Sequence, residues 1–105
     1  MATNRLELLR SLLEANPSGA FARYALAQEL SNTGDLDAAA VQYRLLIAAD
    51  PNYSAAYFHG GQALEKLHRI DEAAALYRQG LDATSRNGDA HTHSEIQAAL
   101  DLLPL

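Results

Sequence analysis

The sequence predicts an all-α fold of about six helices, stacked as antiparallel pairs, and three observations predict it. Residues recur at a 34-residue offset: Pro17 returns as Pro51, Leu12 as Leu46, and Arg10 as Arg44 and Arg78, while Leu30, Ala39 and Tyr43 return as Leu64, Ala73 and Tyr77. A fixed period of that length means one supersecondary unit stacked on copies of itself. Apolar residues also recur at helical spacing along the chain, with no strand-like alternation. Finally, the predicted connections are short, which makes successive helices neighbours in space.

Leu6, Leu9, Leu12 and Leu13 predict an amphipathic helix over 4–15, capped by Asn4, ended at Asn16-Pro17 and exposing Glu7, Arg10 and Glu14. Ser18 is the expected cap of a second helix to about residue 32, with Leu26, Ala27 and Leu30 inward and Gly34 supplying the left-handed turn that ends it. Asp35 or Asp37 starts a third helix over 36–49, which turns Leu36, Ala39, Ala40, Tyr43, Leu46 and Ile47 inward. It stops at Asp50-Pro51, because a proline forces the residue before it out of the helical region. Residues 53–67 repeat the second helix, and His68 stands in the place of Gly34, a residue type that tolerates positive φ better than most. Residues 70–84 repeat the third helix with Ile70, Ala73, Leu76, Tyr77 and Leu81 inward. Ser85 stands where the period calls for proline, so this helix is free to run a turn longer. After a turn at Asn87-Gly88-Asp89, a last helix over 89–102 carries Ile96, Leu100 and Leu103 inward and ends before Pro104. Small residues mark the helix crossings, Ala27 and Gly61 on one side and Ala39 and Ala73 on the other, with Tyr43 and Tyr77 filling the space beside them.

Composition narrows the function. The chain has 105 residues, 49% of them hydrophobic, enough for one domain with a modest core. A net charge of −5 with no basic block argues against nucleic acid or an anionic membrane as partner. The absence of cysteine removes disulfides, zinc-thiolate sites and thiol chemistry. The first residues lead into a charged amphipathic pattern and no run reaches the ~18 apolar residues of a membrane span, so a cytoplasmic protein is expected. No glycine-rich phosphate loop or nucleophile motif is present, and the acidic pairs Asp35/Asp37 and Asp71/Glu72 sit at helix starts, where they favour the helix dipole. His91 and His93, two apart on a helix, point about 200° from each other and cannot share a metal unless the helix has not yet begun there, so surface histidines are expected. Neither catalysis nor a cofactor or metal is expected.

Residues 20–53 carry Leu26-Ala27, Leu30, Gly34-Asp35, Ala38-Ala39, Tyr43 and Asp50-Pro51-Asn52, and 54–87 carry Tyr57, Gly61, Leu64, Asp71-Glu72-Ala73, Tyr77 and Leu81. This pattern resembles the tetratricopeptide repeat family, whose helix-turn-helix unit has the same period. The resemblance covers two full repeats and two halves: 4–17 is similar to the second helix of a unit and 89–102 to a first helix acting as a cap. It implies a right-handed α-solenoid. For the last helix a shift of 36 residues, aligning Leu64 with Leu100 and Leu67 with Leu103, turns Ile96, Leu100 and Leu103 inward, whereas a shift of 34 lands Leu64 on Ala98.

In this family the first helix of each repeat lines a concave groove that receives segments of partner proteins. Carried onto this sequence, that face comprises Phe21, Tyr24, Ala25, Gln28 and Asn32, then Ala55, Phe58, His59, Gln62, Lys66 and Arg69. Tyr24 and Phe58 either offer contact area in the groove or pack between repeats, and His59 is either a groove residue or an ordinary histidine between helices. The lysine, arginine and asparagine clamp with which some members hold a chaperone's carboxyl terminus is missing, since Tyr24, Gln28 and His59 occupy the corresponding places. Arg10, Arg44 and Arg78 are expected on the outer face. The functional expectation is a scaffold binding an unidentified peptide or protein segment. The alternative is a homodimer formed through the terminal helices 4–15 and 89–105, helped by the apolar tail Leu102-Leu103-Pro104-Leu105.

Overall fold

The computed structural model describes residues 2–105, which form six α-helices and no strand. These are α1 (Ala2–Ala15), α2 (Ala20–Asn32), α3 (Leu36–Ala49), α4 (Ser54–Lys66), α5 (Ile70–Asn87) and α6 (Ala90–Asp101). None is long and apolar enough to cross a membrane.

Local chemistry sets most of the boundaries. Gly34 and His68 hold φ of 89° and 60° at equivalent turns, and Gly88 ends α5 at φ 75°. Of the two candidate caps for α3 it is Asp35 that serves, its carboxylate accepting from Ala38 N–H, and Asp89 does the same for Thr92 N–H at the start of α6. Two expected caps are corrected. Gly19, not Ser18, is the N-cap of α2, because the Ser18 hydroxyl donates to Asn16 Oδ1 at 2.9 Å. Helix α1 already runs from Ala2, so Asn4 lies within its first turn rather than ahead of it, and the Asn4 side chain is outside the described residues.

Without a proline at position 85, α5 continues to Asn87. The extra turn is used: the Asn87 amide donates to Asn52 O at 3.1 Å and to Ser54 Oγ at 2.8 Å, tying the end of α5 to the turn between α3 and α4.

Each helix packs antiparallel on the next, and the core forms two clusters along the stack. The first joins Leu9 and Leu13 of α1 to Leu26, Ala27 and Leu30 of α2, to Ala39, Tyr43 and Leu46 of α3, and to Ala56 and Ala63 of α4. In the second, Tyr57 and Leu64 of α4 meet Ala73, Leu76, Tyr77 and Ala83 of α5, closed at the end by Ile96 and Leu103. Leu36, Ile47, Ile70, Leu81 and Leu100 lie at the margins and are only partly buried. Glycines permit the closest crossings. A Cβ at Gly60 would come within 3.0 Å of Leu76 Cδ2 and 3.1 Å of Tyr43 Cβ, and one at Gly80 within 2.7 Å of Tyr57 Cβ and 2.9 Å of Ile96 Cδ1. Buried phenols are tied down: the Tyr57 hydroxyl donates to Pro51 O at 2.7 Å and that of Tyr77 to the Glu65 carboxylate. Burial pushes the Tyr43 phenol up to about 12, so it stays neutral.

The two ends of the stack differ. Leu12 corresponds by the period to Leu46, which is buried in one cluster with Leu26, Ala27 and Leu30 of α2. No helix precedes α1 among the described residues, and Leu8 and Leu12 are left 59% and 48% exposed on it. Helix α6 instead exposes mainly polar residues, among them His91, Ser94, Gln97 and Asp101, while Ile96 beneath is fully buried. The helix is thus polar on one side and apolar on the side that meets α5.

Candidate functional site

Helix α4 approaches both α2 and α6 directly, whereas α1, α3 and α5 do not come within 8 Å of one another between Cα atoms. A stack that is close on one side and splayed on the other is curved, and α2, α4 and α6 line its inner face. On the splayed side long side chains span the gap: Arg44 pairs with Glu72 at 3.5 Å across α3 and α5. Arg10, Arg44 and Arg78 are all exposed on these outer helices.

Tyr24 joins α2 to its neighbours through aromatic contacts. Its ring centroid lies 5.4 Å from that of Tyr53, 5.9 Å from that of His59 and 6.3 Å from that of Tyr43, so one aromatic group of α2 is shared with α3, with the turn before α4 and with α4 itself. The Phe58 ring centroid lies 5.2 Å from that of His59, edge on, and Phe58 packs on the second core cluster. Two amides complete the group: Gln28 Nε2 donates to Tyr24 Oη at 2.7 Å, and Gln62 Oε1 lies 3.3 Å from His59 Nδ1. All six of Tyr24, Gln28, Tyr53, Phe58, His59 and Gln62 are half-buried. They are therefore held by the fold and still reachable. Tyr24 and Phe58 each pack on a core cluster and remain partly exposed.

The remaining candidates divide. Phe21 is 77% exposed in the first turn of α2. Asn32 and Lys66, the exposed last residues of α2 and α4, are equivalent by the period and mark one end of the face. Arg69 stands apart from the cluster, because the left-handed His68 turns the chain onto α5 and the guanidinium then bonds Glu72 at 2.6 Å and Asp37 at 3.5 Å. Sequence reasoning missed Tyr53 as a member. It precedes the first residue of α4, outside the helical periodicity that picked out the face. The only available signal was an aromatic residue just after the Asp50-Pro51-Asn52 turn.

Electrostatics are weak here. Burial pushes the His59 imidazole below its ordinary 6.5, opposed by the Gln62 contact and by Glu95 of α6 and reinforced by Lys66. The folded chain thus binds this proton less readily than the unfolded chain, so the associated stability is present above about pH 6.5 and is lost as the pH falls through the lowered folded value. Thermal melts between about pH 7 and 5 are expected to show a shallower loss of stability for His59→Gln than for the parent, and identical slopes would contradict this assignment. Among the described residues no group of three or more His, Asp or Glu side chains could hold a metal, and the His91 ring instead contacts Glu95 at 3.2 Å.

Paired helices stacked by repetition, with a formed aromatic and amide face on the inner curve, define a helical-repeat scaffold. Residues 22–53 match the model of the tetratricopeptide repeat. A tetratricopeptide repeat domain protein of Salinibacter ruber is similar to 77% of this chain over 90% of its own length, at 36% identity and a TM-score of 0.72 in its crystal structure. Its solution structure gives a TM-score of 0.76 at 35% identity, covering 81% of this chain and 86% of that one. The Yersinia enterocolitica type III secretion translocator chaperone SycD shares the fold at a TM-score of 0.86 and 13% identity, over 95% of this chain and 70% of its own. No curated protein matches the sequence. The chain belongs to the tetratricopeptide repeat family, and its fold is that of a protein-interaction scaffold.

Proposed function

We propose that the chain binds a segment of another protein on the inner face of α2 and α4, with Tyr24, Phe58, Gln28, His59 and Gln62 as the contacts. The observation that carries this is the half-buried aromatic and amide cluster around Tyr24. Tyrosine and phenylalanine give large contact areas with few rotamers to freeze, and a cluster already ordered in the free protein loses less on binding. In affinity capture with mass spectrometry, the Tyr24→Ala, Phe58→Ala double variant is expected to lose the partners that the parent retains. A variant altered on the outer face, Arg44→Ala with Gln79→Ala, is expected to keep them. Equal recovery by all three proteins would count against the inner face.

A second reading, self-association through the N-terminal edge, is favoured by the exposure of Leu8 and Leu12 on the α1 face whose α3 counterpart is covered. Light scattering over a dilution series tests it. A dimer that dissociates in Leu8→Lys, Leu12→Lys supports it, and a monomer at the highest concentration excludes it.

A further inference from the structure

We infer that Asn87 is a site of spontaneous covalent modification, at which loss of its side-chain ammonia unties α5 from the turn that carries Tyr53. Asparagine is among the chemically labile residue types, and of the asparagines in the chain only Asn87 is followed by glycine. At Gly88 no Cβ stands beside the backbone nitrogen that must attack the Asn87 side chain. Asn87 is also exposed, as the last residue of α5.

The reaction needs only the chain and water. The Gly88 nitrogen gives its proton to solvent base and attacks Asn87 Cγ. A new C–N bond closes a five-membered imide, the Cγ–Nδ2 bond breaks, and Nδ2 leaves as ammonia with a proton from water. A water molecule then adds to one of the two imide carbonyls and opens the ring. The product is aspartate at 87, or its isomer in which the backbone runs through the side-chain carboxyl. Asn87 Oδ1 accepts from Asp89 N–H at 3.0 Å, a donor placed where negative charge develops when Cγ is attacked. Against this, Gly88 N–H is donated to Thr84 O, and Asp89 N–H also reaches that carbonyl at 3.1 Å. Attack therefore waits for the last turn of α5 to open, as helix ends do without global unfolding. The fold slows the reaction without preventing it.

The bonds of the amide set the consequence. Both of its hydrogens are engaged, by Asn52 O at 3.1 Å and by Ser54 Oγ at 2.8 Å. A carboxylate at 87 can only accept. Ser54 can turn its own hydroxyl hydrogen toward it, but Asn52 O has none to give, so a carbonyl is left facing a charged oxygen. The new charge also lies two residues from Asp89, whose carboxylate already caps α6. Asn52 and Ser54 flank Tyr53, whose ring centroid is 5.4 Å from that of Tyr24. Once the strap is lost, the turn releases Tyr53 from the aromatic cluster. The strap depends on the extra turn of α5 that Ser85 allows, so the repeat as such does not supply it.

The test ages the full chain in mildly alkaline buffer, folded and in denaturant, and maps mass changes after digestion in acid, where the reaction is slow. The fragment holding Asn87 is expected to gain the mass difference between amide and acid, ahead of every fragment holding another asparagine. The folded chain is expected to react more slowly than the denatured one but within about tenfold of its time, as a helix end that opens at little cost implies. Raising the pH is expected to speed the change, and Asn87→Gln to abolish it. The aged chain, separated by its added negative charge, is expected to lose the nuclear Overhauser contact between the Tyr24 and Tyr53 rings and to keep that between Tyr24 and Tyr43. Freshly prepared Asn87→Asp is expected to do the same. An unchanged Asn87 in the folded chain over that time would overturn the modification site. Conversion that leaves the Tyr24–Tyr53 contact in place, in the aged chain and in Asn87→Asp alike, would overturn its effect on the inner face.

Discussion

Gly61→Ala is expected to destabilise the chain by about 3 kcal/mol or more, the upper end of the cost of overpacking a core. Helix propensity alone has the opposite sign, since alanine favours an exposed helix interior over glycine by about 1 kcal/mol. Sterics decide. A Cβ at Gly61 would overlap Tyr77 Cε1 and come within 2.6 Å of both Cδ1 and Cζ of the same ring. That ring is fully buried and its hydroxyl is bonded to Glu65, on the same helix as Gly61, so neither group can shift independently. The loss should be read by denaturant titration against Gly61→Ala, Tyr77→Leu, in which a smaller ring-free side chain makes room. The two substitutions are expected to be strongly non-additive, as contacting residues are. A Gly61→Ala protein as stable as the parent would mean that α4 and α5 do not cross here.

Ile96→Ala is expected to cost about 2–5 kcal/mol, from lost burial and from the cavity left behind. Ile96 is fully buried against Gly80 in the second core cluster, so its removal loosens the packing of α6 on α5 and not only one contact. For a chain of this size such a loss lowers Tm by roughly 10–20 °C. Ala98→Glu is the paired control, because Ala98 is exposed and should change stability by no more than about 0.5 kcal/mol. The reverse ranking would place α6 in the other register.

These two residues also show where the sequence was informative. The shift of 36 residues at the end of the chain was legible because Ile96, Leu100 and Leu103 form an apolar stripe, and two of the three are buried outright. Ser85 in place of proline foretold the long α5, since only a proline or a left-handed residue would have stopped it. What escaped was determined by neighbours in space. Ser18 looks like a cap by residue type, and only its bond to Asn16 takes it away from α2. Leu12 belongs to the apolar repeat, yet it stays half exposed because burial depends on a second surface that periodicity does not report. In the candidate site, helical spacing grouped the residues on helices, whereas Tyr53 went unrecognised and Arg69 was included although its guanidinium bonds Glu72 and Asp37, because each lies at a turn where the helical phase is reset.

The central claim is that ligands occupy the inner face of α2 and α4. Its most direct test is a two-dimensional amide NMR titration of the isotope-labelled chain with a peptide taken from a partner that the parent chain captures. The expected shifts cluster on Tyr24, Gln28, Tyr53, Phe58, His59 and Gln62 and spare Arg44, Ala75 and Gln79 on the outer helices. Shifts centred on those outer residues, or on α1 and the chain's end, would contradict it.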